Sequence, residues 1–138
     1  MTVDFLSEVV DCRHPDVLGG QPVIDAEALT TLQELADDDG EFLLELVEMF
    51  LGDAAQRVEG MQASARGSDW DAVAGAAHAL KSASANLGAL PFSRSCAQLE
   101  LSVRGGVATE MFSDTKRVSE MFSDVQAVLA RLQACLGA

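Results

Sequence analysis

The sequence predicts an all-α fold, an up-and-down antiparallel four-helix bundle with an additional short N-terminal helix packed across one end. Apolar residues recur at the spacings of three and four typical of helices, and no stretch alternates as a half-buried strand would. Gly, Pro and acidic residues divide this pattern into five segments joined by short turns, which favours a bundle. Apolar residues make up 49% of the 138, enough for one core.

The N-terminal residues are predicted to form a lead-in, and the rest of the chain a single domain. Residues 1–22 are interrupted by Pro and Gly, and we expect them to be flexible or to hold one short helix. Residues 23–138 are predicted to form the bundle domain. Its first helix is short and begins at a cap formed by Asp25. The apolar side of this helix consists of Leu29, Leu32 and Leu35.

Turn residues set off the second and third helices. The second helix is expected over about 41–66, because the acidic turn 37–40 breaks the pattern and places negative charge at the helix N-terminus. The third helix is expected to begin at a capping box formed by Ser68 and Asp71. It is expected to end before Gly88, which suits a left-handed cap.

The last two helices have similar boundary signals. Pro91 suits the first turn of the fourth helix, the turn 104–106 follows that helix, and Thr109 is expected to cap the fifth. The fifth helix carries an apolar seam with spacings of four and three, as in a bundle. The seam residues are Val118, Phe122, Val125, Leu129, Leu132 and Leu136.

Charge and composition exclude several kinds of partner. Nine basic residues against 22 acidic ones give a net charge of −13, which argues against nucleic acid and anionic membranes and leaves protein partners. The chain has no basic N-terminal start typical of a signal peptide, and no apolar run approaches the ~20 residues of a membrane span. The three Cys residues have no C-x-x-C spacing, which favours free thiols in a reducing compartment. We expect a cytoplasmic protein that acts as a monomer.

The most informative stretch of the chain surrounds His78 in the third helix. At about 100° per residue, five apolar side chains would lie within roughly 40° of the direction opposite His78, which places the imidazole in water. These five residues are Val73, Ala76, Leu80, Ala83 and Leu87. Lys81 and Ser82 follow His78 at i+3 and i+4, the spacings of neighbours on a helix surface.

The surface around His78 is predicted to be flat. Ala74, Gly75 and Ala85 lie on the same side of the helix as the imidazole, and all three are small. The active site of another protein can reach a reactive side chain on such a surface. The pattern therefore favours a carrier of a chemical group over an enzyme with a substrate pocket.

The stretch AHALKSASANLGA at residues 77–89 resembles the signature of histidine phosphotransfer (HPt) domains of two-component phosphorelays. In that signature a histidine is followed by leucine at +2, lysine at +3, small residues, and a glycine after a hydrophobic residue. The resemblance extends over about residues 23–136. One departure is Ser82, because many members have glycine one turn after the histidine.

The resemblance implies that the chain carries phosphate. His78 would accept a phosphoryl group from the phospho-aspartate of one receiver domain and pass it to the aspartate of another. The implied partners are a hybrid sensor histidine kinase and response-regulator receiver domains. Lys81 would offset charge on the phosphoryl oxygens. Ser82 and Ser84 would donate hydrogen bonds nearby; the alternative for Ser84 is burial, because it is turned about 120° from His78. The magnesium of this reaction belongs to the receiver, so no cofactor or metal is expected in this chain.

The resemblance also implies a docking surface. In the family, the first helix of a receiver packs beside the histidine, against apolar residues of the first and second helices. The candidates here are Leu32, Leu35, Phe42 and Met49, together with the small residues around His78.

The alternative is an adaptor of HPt shape that binds receiver or kinase domains without carrying phosphate. The presence of His78 argues against it, since such an adaptor has no need of the histidine. A histidine kinase would require glycine-rich ATP-binding motifs, which the sequence lacks. A hydrolase would require a group that orients the histidine, and Asp71 lies two turns away, too far for that role. The sequence also lacks the Glu-x-x-His pairs of a di-iron bundle and the clustered ligands of a zinc site.

Overall fold

Five α-helices and one short pair of strands make up the part of the chain that the computed structural model describes, residues 17–18, 21–35 and 40–137. The strands are β1 (Val17–Leu18) and β2 (Gln21–Pro22). The helices are α1 (Ala26–Leu35), α2 (Gly40–Arg66), α3 (Trp70–Asn86), α4 (Leu90–Gly105) and α5 (Ala108–Gly137).

The four long helices form the predicted bundle. α2 packs against α3 and α5, and α4 packs against the same two helices, so each long helix has two neighbours in a ring. Turns of two or three residues join these helices in chain order, which makes successive helices antiparallel. The short α1 packs against α2. The prediction of an all-α bundle with one additional short helix is confirmed.

The core lies inside this ring and is filled mainly by aliphatic side chains. The largest fully buried side chains include Phe92, Ile24, Leu29, Leu43, Met61, Leu80 and Leu99. Burying a side chain of this size contributes roughly 1.5–3 kcal/mol. Val118, Phe122, Val125, Leu129 and Leu132 of the predicted α5 seam are buried, and the side chain of Leu136 lies outside the described part of the chain.

Gly88 holds α1 against the end of α3. Its φ of 82° lies in the left-handed region, and a Cβ there would lie 2.9 Å from both the Cβ of Ala28 and the carbonyl oxygen of Asp25. The backbone N–H of Asp25 donates to the Gly88 carbonyl at 2.8 Å. Asp25 also caps α1 as predicted, since its Oδ1 accepts from the Glu27 N–H at 3.1 Å. The short helix is thereby fixed where α3 turns into α4.

Two of the predicted helix starts are wrong. Asp69 caps α3, because its Oδ1 accepts a backbone N–H of the first turn at 3.3 Å, whereas Ser68 adopts a left-handed φ of 59°. α5 begins at Ala108, so Thr109 lies inside the first turn instead of before it. Pro91 does lie in the first turn of α4. Both errors are shifts of one or two residues; at α3 two adjacent polar residues compete for the capping position, whereas α5 begins after the apolar Val107.

The sequence did not predict the pairing of β1 with β2. In antiparallel register Val17 pairs with Pro22 and Leu18 with Gln21, all within the predicted lead-in. Strands of two residues are too short for a period of two to be visible in the sequence. The short helix considered for residues 1–22 falls on residues outside the described ranges.

Candidate functional site

α3 presents His78 outward. The side chain of His78 is 63% exposed, and Ser82, one turn further on, is exposed as well. Of the small residues predicted beside the imidazole, Gly75 and Ala85 are exposed and Ala74 is partly buried. A partner protein therefore meets an accessible imidazole with small side chains around it.

The buried side of α3 is turned from its predicted position. Three of the five predicted core residues are buried, namely Val73, Leu80 and Leu87. The other two, Ala76 and Ala83, are half-buried, and Ala77 and Ser84 are buried in their place. The centre of the buried arc is thus rotated by about 40° around the helix axis, because α3 packs between α2 and α4 rather than against one flat core.

A glutamate on α4 holds His78 and Lys81 together. Glu100 Oε2 lies 3.1 Å from His78 Nδ1, and Glu100 Oε1 accepts from Lys81 Nζ at 3.1 Å. The Glu100 side chain is only 11% exposed, against 35% for that of Lys81. Arg104, one turn further along α4, donates to Oε2 at 3.3 Å. One carboxylate at the edge of the core therefore binds three basic side chains.

The contact with Glu100 determines which nitrogen of His78 is free. An ionised carboxylate only accepts hydrogen bonds, so Nδ1 of the imidazole donates in this contact. A neutral imidazole carries one proton, and with that proton on Nδ1 the lone pair is on Nε2. In that tautomer, Nε2 is the unprotonated nitrogen of the exposed ring.

Lys81 lies beside the imidazole, but Ser84 does not. Lys81 shares the Glu100 carboxylate with His78, so the three side chains form one cluster. Ser84 is buried, and its Oγ donates to the Leu80 carbonyl at 2.5 Å and to the Lys81 carbonyl at 3.3 Å. Of the two alternatives for Ser84, burial is confirmed, and its hydroxyl bonds to the backbone of its own helix instead of donating near His78.

The pKa of the Glu100 carboxyl lies below its usual value. The hydrogen bond from Lys81 is the largest cause, and the charges of Lys81 and His78 act in the same direction, while burial opposes them. Glu100 is therefore ionised at neutral pH, as its role as an acceptor from three basic side chains requires.

The stability of the protein is expected to fall in acid more steeply for the wild type than for Glu100→Gln. Because the pKa of Glu100 is lowered by folding, the unfolded chain binds its proton first as the pH drops. The stabilisation is fully present above the unfolded pKa and is lost as the pH falls through the folded one. Urea unfolding from neutral pH down to about pH 3 measures the difference. Parallel pH profiles for the two proteins would contradict this expectation.

An apolar groove of about 620 Å³ lies between α1, α2 and α3. It is lined by Leu32, Phe42, Leu46, Met49, Phe50, Asp53, Ala83, Asn86 and Leu87. Three of the four predicted docking residues, Leu32, Phe42 and Met49, are thus brought together. The fourth, Leu35, is 78% exposed at the end of α1 but does not line the groove.

The groove and His78 are neighbours along α3. Asn86 lies eight residues after His78, about 12 Å along the helix axis, and is turned about 80° from it. Ser82 lies on the same side, turned about 40° from His78. A protein seated in the groove would therefore reach the imidazole across the small side chain of Ser82.

The described residues contain no group of three or more His, Cys, Asp or Glu side chains that could hold a metal ion. Burial raises the pKa of the Cys96 thiol to about 12, so this thiol is not a nucleophile at neutral pH. In the same part of the chain, no helix combines the length and the apolar character needed to cross a membrane.

Glu100 is the site residue that the sequence analysis missed. Helical periodicity relates His78 only to residues of its own helix, whereas Glu100 lies 22 positions away on the next helix. A signal was present, since Phe92, Cys96 and Glu100 are spaced by four on the buried stripe of α4. A carboxylate on an apolar stripe requires a partner, and a neighbouring basic residue is the usual one.

Comparison with known proteins identifies the class of this protein. The model of the Hpt domain family matches residues 45–135, most of the chain. The chain therefore belongs to the Hpt domain family, as its resemblance to the signature indicated. Comparison with curated protein sequences found no match.

Two solved structures are similar to this chain. One is histidine-containing phosphotransfer protein B from Pseudomonas aeruginosa PAO1, with a TM-score of 0.74 and 26% identity over 82% of this chain and 96% of that one. The other is described as a histidine-containing phosphotransfer protein from rice, with a TM-score of 0.77 and 23% identity over 98% of this chain and 95% of that one. At that identity the rice structure supports the fold alone.

Family membership defines what kind of molecule this is. The chain is an Hpt-domain phosphotransfer protein of a phosphorelay, a phosphocarrier and not a kinase. Hpt domains interact with receiver domains.

Proposed function

We propose that His78 accepts a phosphoryl group from the phospho-aspartate of one receiver domain and passes it to the aspartate of another. The observation that carries this proposal is the exposed imidazole whose Nδ1 contacts the buried Glu100 carboxylate. That contact leaves the lone pair of Nε2 directed away from Glu100 and available to a partner. Phosphoryl transfer depends mainly on positioning and charge stabilisation, and a held imidazole supplies the positioning.

The transfer is a displacement at phosphorus. The Nε2 lone pair forms a P–N bond while the P–O bond to the receiver aspartate breaks, and the aspartate leaves as a carboxylate with the bonding electrons. The product ring keeps its proton on Nδ1 and is positively charged, so the Glu100 carboxylate stabilises it. In the second transfer, the carboxylate of the next receiver attacks phosphorus and the P–N bond breaks.

Lys81 is proposed to offset charge on the phosphoryl oxygens. Its ammonium has three N–H donors, and the contact with Glu100 uses one of them. A second donor can therefore bind a phosphoryl oxygen while the pair with Glu100 is kept. The magnesium ion of the reaction is proposed to belong to the receiver, so this chain would supply the imidazole and the ammonium only.

The groove is proposed to hold the receiver while transfer occurs. Ser82, Gly75, Ala85 and Ala74 would face the receiver's active site, and their small size would allow its phospho-aspartate to approach Nε2. One receiver is proposed to belong to a hybrid sensor histidine kinase and the other to a response regulator. Leu32, Phe42 and Met49 in the groove, together with the exposed Leu35 at the end of α1, would contact the docked domain.

The proposal is tested by incubating the chain with receiver domains that carry labelled phosphate from acetyl phosphate. We expect label on the chain that is lost in acid and kept in alkali, as for phosphohistidine, and that maps to the peptide containing His78. Binding of phosphorylated receivers with no label on the chain would favour the adaptor instead. Acid-stable label would contradict the proposal, since it would lie on a hydroxyl group.

A further inference from the structure

The elements that form most of the apolar groove are acidic. The described part of the segment 26–56, which spans α1 and the first part of α2, includes six Asp and Glu residues and no Lys or Arg. This segment supplies most of the groove lining, with the remainder coming from α3. The first basic residue after it is Arg57. The net charge of −13 is therefore spread unevenly along the chain, with a negative excess on the two elements that supply most of the lining.

Glu45 of α2 carries an unpaired charge next to the apolar lining. It lies about 40° around the helix from Met49 and about 60° from Phe42. Its side chain is exposed and has no ion-pair or hydrogen-bond partner among the described residues. Asp53 differs, because its Oδ2 accepts from Arg57 Nε at 2.8 Å and its charge is offset.

We propose that the groove binds a helix whose apolar ridge is flanked by Lys or Arg side chains, and that this charge match selects among receiver domains. The inference rests on the proposed function, because it adds the chemistry of the partner to the same docking surface. The apolar lining would hold the ridge, while Glu45 would face the basic flank. A second copy of this chain does not fit, since it would place the same acidic elements against each other.

The charge match is expected to act mainly on how fast partners associate. Exposed ion pairs contribute little to affinity individually, and they are screened over about 10 Å at 0.1 M salt. Complementary fields raise association rates and reject partners of like charge. Reversing one glutamate should therefore weaken binding about three- to tenfold at low salt and much less at high salt.

The experiment uses two synthetic helical peptides of about 18 residues, five turns, as probes. Both carry the same Leu and Ala ridge, flanked by lysines in one peptide and by glutamates in the other. Binding to the whole chain is followed by shifts of the backbone amide signals of Phe42, Met49, Ala83 and Asn86. We expect the lysine-flanked peptide to shift these signals and the glutamate-flanked peptide to leave them unchanged at the same concentration.

Charge-reversal variants then test whether the acidic side chain beside the groove causes this difference in peptide binding. Glu45→Lys should weaken binding of the lysine-flanked peptide and strengthen that of the other peptide. Glu110→Lys is the matched control, because it makes the same charge change at an exposed position of α5, across the bundle from α3. It should change binding less than twofold, within the range of an uninvolved surface charge.

Three outcomes would overturn the inference. They are equal binding of both peptides, no binding of the lysine-flanked peptide, and equal effects of Glu45→Lys and Glu110→Lys. None of these would affect phosphate transfer to His78, which has a separate readout in labelled protein. Conversely, a chain that binds the lysine-flanked peptide but never takes label would refute the proposed transfer and keep the charge match.

Discussion

Replacing His78 with glutamine is expected to abolish phosphate acceptance while leaving the bundle intact. Glutamine retains an amide that can bond to Glu100, but it has no nitrogen lone pair able to attack phosphorus. The substituted side chain is exposed, so little packing is lost. We expect label from phosphorylated receivers to fall below detection, with helical content and unfolding midpoint unchanged. Gel autoradiography with circular dichroism measures both quantities.

His14 is the matched control for this substitution, since it is the only other histidine of the chain. The His14→Gln variant should accept phosphate at the wild-type rate. Label that persists in His78→Gln, or is lost in His14→Gln, would place the phosphoacceptor elsewhere. Receiver binding by His78→Gln should remain, because the groove is unchanged.

Replacing Glu100 with leucine is expected to slow transfer about 10- to 100-fold, the usual effect of removing a group that orients a reactive histidine. The carboxylate holds the proton on Nδ1 and stabilises the positively charged ring that phosphorylation creates. Leucine does neither, and it leaves Lys81 without its partner. The transfer rate of Glu100→Gln should lie between those of the wild type and of Glu100→Leu, because the glutamine amide oxygen still accepts from Nδ1. Single-turnover transfer from a labelled receiver measures the rates.

A second readout separates positioning by Glu100 from a merely structural role. Nitrogen chemical shifts of the His78 ring report which nitrogen carries the proton. We expect the Nδ1–H form to dominate in the wild type, to persist in Glu100→Gln and to be lost in Glu100→Leu. Wild-type rates together with unchanged ring shifts in Glu100→Leu would show that the carboxylate has no part in the reaction. Glu110→Gln serves as the surface control.

The helices and the exposed histidine were predictable because their causes are local. Helical periodicity, Gly88 and Pro91 each act on residues within a few turns, and they placed α3 and α4 to within one or two residues. The outward direction of His78 follows from the same periodicity, since a helix has a fixed rotation per residue. The family signature around His78 then indicated the chemistry.

The partners of His78 were not predictable in the same way. Asp71, the acidic residue weighed as a partner, lies on the same helix, whereas the carboxylate that contacts the ring is Glu100, brought close by the crossing of α3 and α4. Ser84 is buried for the same reason, because α4 packs against that side of α3 and covers it. Periodicity defines where the apolar side of a helix lies, but the neighbouring helices decide how far burial extends around it.

Some features follow from the sequence and others only from the tertiary structure, and the difference has a simple physical reason. Rotation per residue, caps and turn conformations depend on neighbours in the chain. The amino-acid sequence alone therefore determines the helices of the described residues and the exposure of His78. The contact between Glu100 and His78 joins residues far apart in the chain. The groove lined by Leu32, Phe42 and Met49 does so as well. Such contacts exist only after the helices have packed, and the tertiary structure therefore decided them.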